Sequence, residues 1–248
     1  MLVVALDTTG RAGSVAIVQD GLVVASQVGD PSRTHAERLP GDIVRVLEGA
    51  GLSLSDADVF AVAIGPGSFT GLRIGIATIQ GLAFACSKPV VGVSTLEALA
   101  TAVYLDLAVP RDAPVAVWID AQRQEVFSAV FVCAHGADDG QVPGLGVLDA
   151  PAVAAPDVTL ARWRHEPWFH DLRLVGDGTE TYRHLLAGVP VPPDRILEPT
   201  PSLAAAIGRI AAVRAARGET VLPHAIKPLY VRRPDAELAR DRKLAGIP

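Results

Sequence analysis

The stretch from Leu2 to Val28, LVVALDTTGRAGSVAIVQDGLVVASQV, contains three short apolar runs separated by polar turns, and its reading decides the fold. Runs over 2–6, 13–18 and 22–28, bounded by the turn-rich 7–12 and by Asp20-Gly21, predict three strands. The Asp-Gly pair marks a hairpin, so the chain is expected to open as an antiparallel meander. A similar layout returns later: a strand over 115–119, Asp120 where the first hairpin has Asp7, a polar gap, and a strand over 126–132. Two readings stand side by side, an internal duplication and two unrelated hairpins.

Between the hairpins, Leu39, Ile43, Val46 and Leu47 recur at helical spacing and predict a helix over 36–49, with Pro40 placing its true start later than the pattern. A strand over 59–64, a helix from Thr70 and a strand over 90–93 follow. Residues 134–167 are rich in Gly, Pro, Ala and Asp without periodicity and read as a loop-heavy insertion. Beyond them come a strand over 172–175, a turn at 176–178, a helix near 180–186 and a helix over 202–217. In the last helix Leu203, Ile207, Ile210, Ala211 and Arg214 share one face. The division expected is a first lobe over 1–103, a second over 104–225 and a tail over 226–248.

Composition excludes several classes of function. The 248 residues are 50% apolar with a net charge of −5, which fits one large or two smaller globular units and argues against a broad phosphate-binding surface. No apolar run reaches the length of a membrane span, and MLVVALDTTG carries no basic segment before its short apolar run, so a cytoplasmic protein without membrane contact is expected. Cys86 and Cys133 lie among apolar neighbours and read as buried reduced thiols. In the tail Arg232, Arg233, Arg240, Arg242 and Lys243 outnumber Asp235, Glu237 and Asp241, which reads as a solvated basic end.

The stretch AVAIGPGSFTGLRIGIATIQGLAFAC, over 61–86, places a glycine loop between a strand and a helix. GPGSFTG is one residue too long for a dinucleotide fingerprint, no acidic residue follows at ribose distance, and no Gly-Lys-Ser/Thr triplet makes it a phosphate loop. Inside the helix Gly71, Gly75 and Gly81 each cost about 1 kcal/mol relative to alanine. Their spacing, continued by Ala77 and Ala85, lays small residues in flat rows beside Leu72, Ile76, Ile79 and Ala83. Flat rows admit a close helix, from this chain or from another.

The motifs DTTGRAGSVAI, THAERLP, GPGSFTGLRIG, GVSTLEAL, IDAQRQEVFSAVF, GDGTETY and PLYVRRPDAE, in that order, closely resemble the TsaB (YeaZ) family. The resemblance implies a two-lobed α/β fold, actin-like and sugar-kinase-like (ASKHA), with duplicated meander-plus-helix lobes. It also implies a non-catalytic companion of the transferase TsaD in making threonylcarbamoyladenosine at adenosine 37 of tRNAs that read codons beginning with A. The partners implied are a TsaD homologue, the TsaE ATPase in a ternary complex, a second copy when the chain is alone, and tRNA indirectly. The interface implied runs through Leu39, Ile43, Val46 and Leu47 of the first helix and through Thr70, Gly71, Leu72, Ile74, Gly75, Thr78, Ile79 and Leu82 of the glycine-rich one. On that reading, Gly75→Leu leaves the monomer folded and weakens association. The competing reading is an enzyme of the same superfold, an ATP-dependent transferase or kinase, or a peptidase.

Laid on GVSTLEAL, the metal-binding histidines of the catalytic relative become Thr95 and Leu99, and neither replaces an imidazole. No catalytic residue, metal or tightly held cofactor is therefore expected, with ATP or ADP entering only in the complex. Asp7, Thr8, Thr9 and Asp120 match the two phosphate-facing hairpins of the superfold and form a degenerate nucleotide site. His165 and His170 are spaced by five and broken by Pro167, which defeats a zinc motif. His35 precedes a helix with Glu37 two residues on, and Ser32 or Thr34 beside it read as caps rather than nucleophiles.

Overall fold

The computed structural model describes residues 1–107, 109–133, 142–186, 191–198 and 202–232. It contains two five-stranded mixed sheets. The first holds β1 (Leu2–Asp7), β2 (Ser14–Gln19), β3 (Leu22–Val28), β4 (Val59–Gly65) and β5 (Val90–Ser94) in the order β3-β2-β1-β4-β5. The second holds β6 (Val115–Asp120), β7 (Val126–Cys133), β8 (Leu145–Ala154), β9 (Arg173–Val175) and β10 (Ile196–Leu197) in the order β10-β9-β6-β7-β8. Each is an antiparallel meander extended by two parallel strands. Asp7 pairs with Ser14 at the end of one hairpin and Asp120 with Val126 at the end of the other, so the repeated layout is a duplication. The two-lobed α/β architecture expected of the actin-like fold is present.

Strand alternation sorts the side chains into layers. Leu2, Val4 and Leu6 point to the outer face of the first sheet, under α1 (His35–Gly49) and α2 (Phe69–Ala85). Val3 and Ala5 point inward to α3 (Thr95–Asp106) and α7 (Leu203–Ala216), while Val115, Val117 and Ile119 of β6 meet α3 from the other side within the same cluster. On the far face of the second sheet Trp118 packs with Trp163 and Leu160 of α4 (Pro156–Trp163). There α5 (Asp177–Thr181) and α6 (Arg183–Leu186) complete the outermost of five alternating layers. The middle layer joins both lobes in one core.

Several expectations are corrected. The first helix starts at His35, ahead of Pro40, because Thr34 and Glu37 form a capping box that fixes the earlier start. Residues 145–163 are a ten-residue strand and a helix, not a loop-rich insertion. As an edge strand β8 tolerates Gly146 and Pro151, whose composition imitates a loop. Residues 134–141 lie outside the described residues. The helix expected near 180–186 is the pair α5 and α6. In α7 the face of Leu203, Ile207, Ile210 and Ala211 is buried as expected, but it packs on the first sheet, although its sequence position placed it with the second lobe. Cys133 is buried and Cys86 half-buried, both as free thiols. Among the described residues no helix is long and apolar enough to cross a membrane.

Candidate functional site

Gly71 and Gly75 of α2 face inward. Thr8, at the end of β1, is fully buried and its Oγ1 donates to the Gly71 carbonyl at 2.8 Å. A Cβ on Gly71 would stand 2.0 Å from the Thr8 carbonyl oxygen, and one on Gly75 would stand 2.2 Å from Thr8 Oγ1. The close neighbour that these glycines admit is the chain's own first strand. The assignment of Gly71 and Gly75 to a partner helix is therefore corrected. Leu39, Ile43, Val46, Leu47, Leu72 and Ile79 are likewise buried in the chain's own core and have no surface to offer a partner.

Four of the twelve expected interface residues do reach the surface: Thr70, Ile74, Thr78 and Leu82, one line at four-residue spacing along α2. Ala77, Gly81 and Ala85 are exposed beside them, and Gly81 has open space where a Cβ would be. Sequence reasoning missed two apolar members of this surface, Phe84, which is 81% exposed, and Val44 on α1 at 47%. Because α2 is apolar nearly all round, its pattern carries no mark of which stripe faces out. An exposed Phe among small side chains is a shape that accepts an apolar partner.

At the hairpin ends the lobes enclose an open cleft of about 970 Å³. Thr9 and Asp120 line it, whereas Asp7 and Thr8 stand behind its wall. Asp7 accepts the Thr9 amide at 2.9 Å and the Thr9 hydroxyl at 2.6 Å. Asp120 accepts the Gln122 amide at 2.9 Å, the Gln122 side-chain amide at 2.8 Å and the Tyr182 hydroxyl at 3.2 Å. Its own amide donates to Asp177 Oδ1 at 2.9 Å. The turn that follows is strained: Gln122, Arg123 and Gln124 hold φ of 60°, 58° and 62°, three successive non-glycine residues in the left-handed region. Each costs about 1–2 kcal/mol.

His35 is no catalytic base here. Its Nδ1 lies 2.8 Å from Arg38 Nη2 and its Nε2 3.0 Å from the Gly10 carbonyl. A guanidinium only donates, so Nδ1 accepts and the ring is neutral with its proton on Nε2. Burial and the Arg38 charge both hold its pKa below the ordinary imidazole value. Thr34 caps α1, as expected of a structural role. Thr95 and Leu99 are buried in the first half of α3. Among the described residues no three His, Cys, Asp or Glu side chains converge as a metal site. His165 and His170 are exposed, and Pro167 opens a short 3₁₀ turn between them.

Burial raises the Asp7 carboxyl above its ordinary 3.8, against the hydrogen bonds from Thr9 that favour its charged form. A raised folded-state pKa means that the charged carboxylate destabilises the fold as pH climbs from about 4 through that pKa. Asp7→Asn keeps an oxygen for Thr9 and removes the charge. The variant is expected to be more stable than wild type at neutral pH, with the difference closing in acid. Urea midpoints measured across pH check this, and a variant less stable at pH 7 would refute it.

A family model described as TsaD: tRNA N6-adenosine threonylcarbamoyltransferase matches residues 29–239. The tRNA threonylcarbamoyladenosine biosynthesis protein TsaB of Escherichia coli is 40% identical over 131 residues, a match covering 53% of this chain and about half, 55%, of that relative. TsaB of Haemophilus influenzae is 32% identical over 184 residues, covering 73% of this chain and 74% of its own. Among solved structures, a Pseudomonas aeruginosa protein described as similar to the peptidase YeaZ superposes with a TM-score of 0.76 at 32% identity, over 93% of this chain and 99% of that one.

Proposed function

Because the chain belongs to the TsaB (YeaZ) family, we propose that it takes part in tRNA threonylcarbamoyladenosine biosynthesis as a non-catalytic partner that docks a TsaD-type transferase through the outward face of α2. The observation that carries this reading is the outward face of α2, where the exposed Ala77, Gly81, Phe84 and Ala85 lie beside the Thr70-Ile74-Thr78-Leu82 line. Ala77, Gly81 and Ala85 leave room for a partner helix to lie close. On this reading a second copy occupies the same face when the transferase is absent, TsaE joins the assembled pair, and the substrates are tRNAs reading codons that begin with A. Nucleotide binds in the assembly, and the isolated chain turns nothing over.

The test is co-purification with a TsaD homologue, followed by analysis of tRNA nucleosides. Modified adenosine is expected only when both chains are present. Ala77 is exposed and Phe84 is 81% exposed, so the double variant Ala77→Glu/Phe84→Glu should fold normally. Two desolvated carboxylates in the centre of an interface should cost at least about 2 kcal/mol, or roughly thirtyfold in affinity. Undiminished binding by this variant would sink the docking face. Modified adenosine made without the chain would sink the function.

A further inference from the structure

The residues after the last helix read as a solvated tail, yet up to Arg232 they are built into both lobes. Val221 pairs with Val90 at the edge of β5, and Ile226 is buried in the outer core under α2. From there the chain turns along the cleft. The Leu229 amide donates to the Ile64 carbonyl at 2.7 Å, and the Leu229 carbonyl lies 2.7 Å from where a Cβ on Gly65 would stand, so the strand end needs a glycine for the segment to pass. Tyr230 lies on Phe69 with ring centroids 5.7 Å apart, and the Arg73 guanidinium covers Phe69 at 4.0 Å. All of these contacts belong to the first lobe.

Two residues further on, the segment engages the second lobe. Arg232 Nη1 donates to the Ala121 carbonyl at 2.9 Å, and Nη2 pairs with Glu125. Its guanidinium also stands 5.7 Å from the Phe127 ring centroid. Ala121 and Glu125 flank the strained residues 122–124, so one arginine holds both ends of that turn. Charge-assisted hydrogen bonds of this kind are stronger than neutral ones. Elsewhere the sheets are joined by α3, which packs on both, and by α7, which packs on the first sheet and on α3.

We propose that residues 227–232 are an interlobe clasp that fixes the width of the cleft without a ligand, in addition to the joint formed by α3 and α7. The middle layer already joins the lobes on one side, and residues 227–232 add a second connection, across the cleft. The proposal does not depend on the docking reading, because every contact in it is intramolecular.

Three forms are compared with the full chain: one ending at Arg233, one ending at Pro228, and the full-length double variant Tyr230→Ala/Arg232→Ala. Spin labels at Arg33 and Glu180, with both native cysteines replaced by serine, report the distance between lobes. Hydrogen exchange reports the amides of Ala121 and Glu125. The full chain and the form ending at Arg233 should give one narrow distance. The form ending at Pro228 and the double variant should remain folded, give a longer and broader distance, and exchange those two amides about tenfold faster. An unchanged distance in both altered forms overturns the clasp. So does unfolding of both, because a clasp across two formed lobes is not required to fold them.

Discussion

Gly75→Leu is expected to unfold the protein on mild heating and not merely to weaken its association. The leucine Cβ alone would stand 2.2 Å from the Thr8 hydroxyl oxygen, and Thr8 has nowhere to go: it is fully buried and its Oγ1 is committed to the Gly71 carbonyl. Relief requires either breaking that bond or lifting α2 off β1. Overpacking of this kind costs about 1–3 kcal/mol and occasionally more, and the helix-propensity gain of about 1 kcal/mol does not offset the upper end. Gly71→Ala should be as severe despite its single added methyl, because the obstacle at 2.0 Å is the Thr8 backbone carbonyl and not a side chain that can rotate. The net loss at the upper end is about 2 kcal/mol, and with about 2–4 °C lost per kcal/mol in a chain of this size, either variant should melt about 4–8 °C early. By contrast Gly81→Ala, on the exposed side with open space, should raise stability by a few tenths to about 1 kcal/mol. A Gly75→Leu protein that melts with wild type and has only lost its partner would return these glycines to the interface.

Removal of Arg38 should be as damaging for an electrostatic reason. Its guanidinium is buried, donating from Nη1 to Asp42 Oδ2 at 2.6 Å and from Nη2 to the Ala12 carbonyl and His35 Nδ1. Arg38→Ala leaves the Asp42 carboxylate, itself 2% exposed, with only the exposed Arg45 and Gln27 as partners. Stranding one member of a buried pair costs about 3–5 kcal/mol, and the remaining Arg45 contact places this case near the lower figure. Replacing both members, as Arg38→Met/Asp42→Leu, should recover most of the loss. Urea unfolding of the three proteins checks this, and a loss below about 1 kcal/mol in Arg38→Ala would mean that Asp42 is solvated in practice.

What could be read in advance followed from where the burial pattern was unambiguous. The two hairpins were legible because each strand alternates or runs apolar between polar turns, but the pattern alone did not separate a duplication from two unrelated hairpins; the matching sheet orders do. Thr70, Ile74, Thr78 and Leu82 stood only among twelve expected interface residues, without a sign that they and not their neighbours reach the surface. The direction of α2 was not legible, since a helix apolar on all sides gives no sign of which face meets the sheet. β8 was hidden by Pro151 and Gly146, which an edge strand accepts. Arg38 and Asp42, four apart on a helix, have the spacing of an ordinary surface pair, and only the neighbouring loops bury them. The clasp was invisible for a different reason: an extended segment held by backbone bonds and one stacked ring has no periodicity to detect.

The middle layer governs how the chain can be made. The inner face of the first sheet is covered by α7, whose Ala204 amide reaches Ser14 Oγ at 3.1 Å across 190 positions of sequence. A ribosome therefore releases β1, β2 and β4 long before the helix that seals them exists. At about 5–20 residues per second, the Val3, Ala5 and Val18 face stays open for about 10–40 s of synthesis. The first lobe therefore cannot be completed until the end of synthesis, and a chain stopped ahead of α7 would leave the inner face of its sheet uncovered.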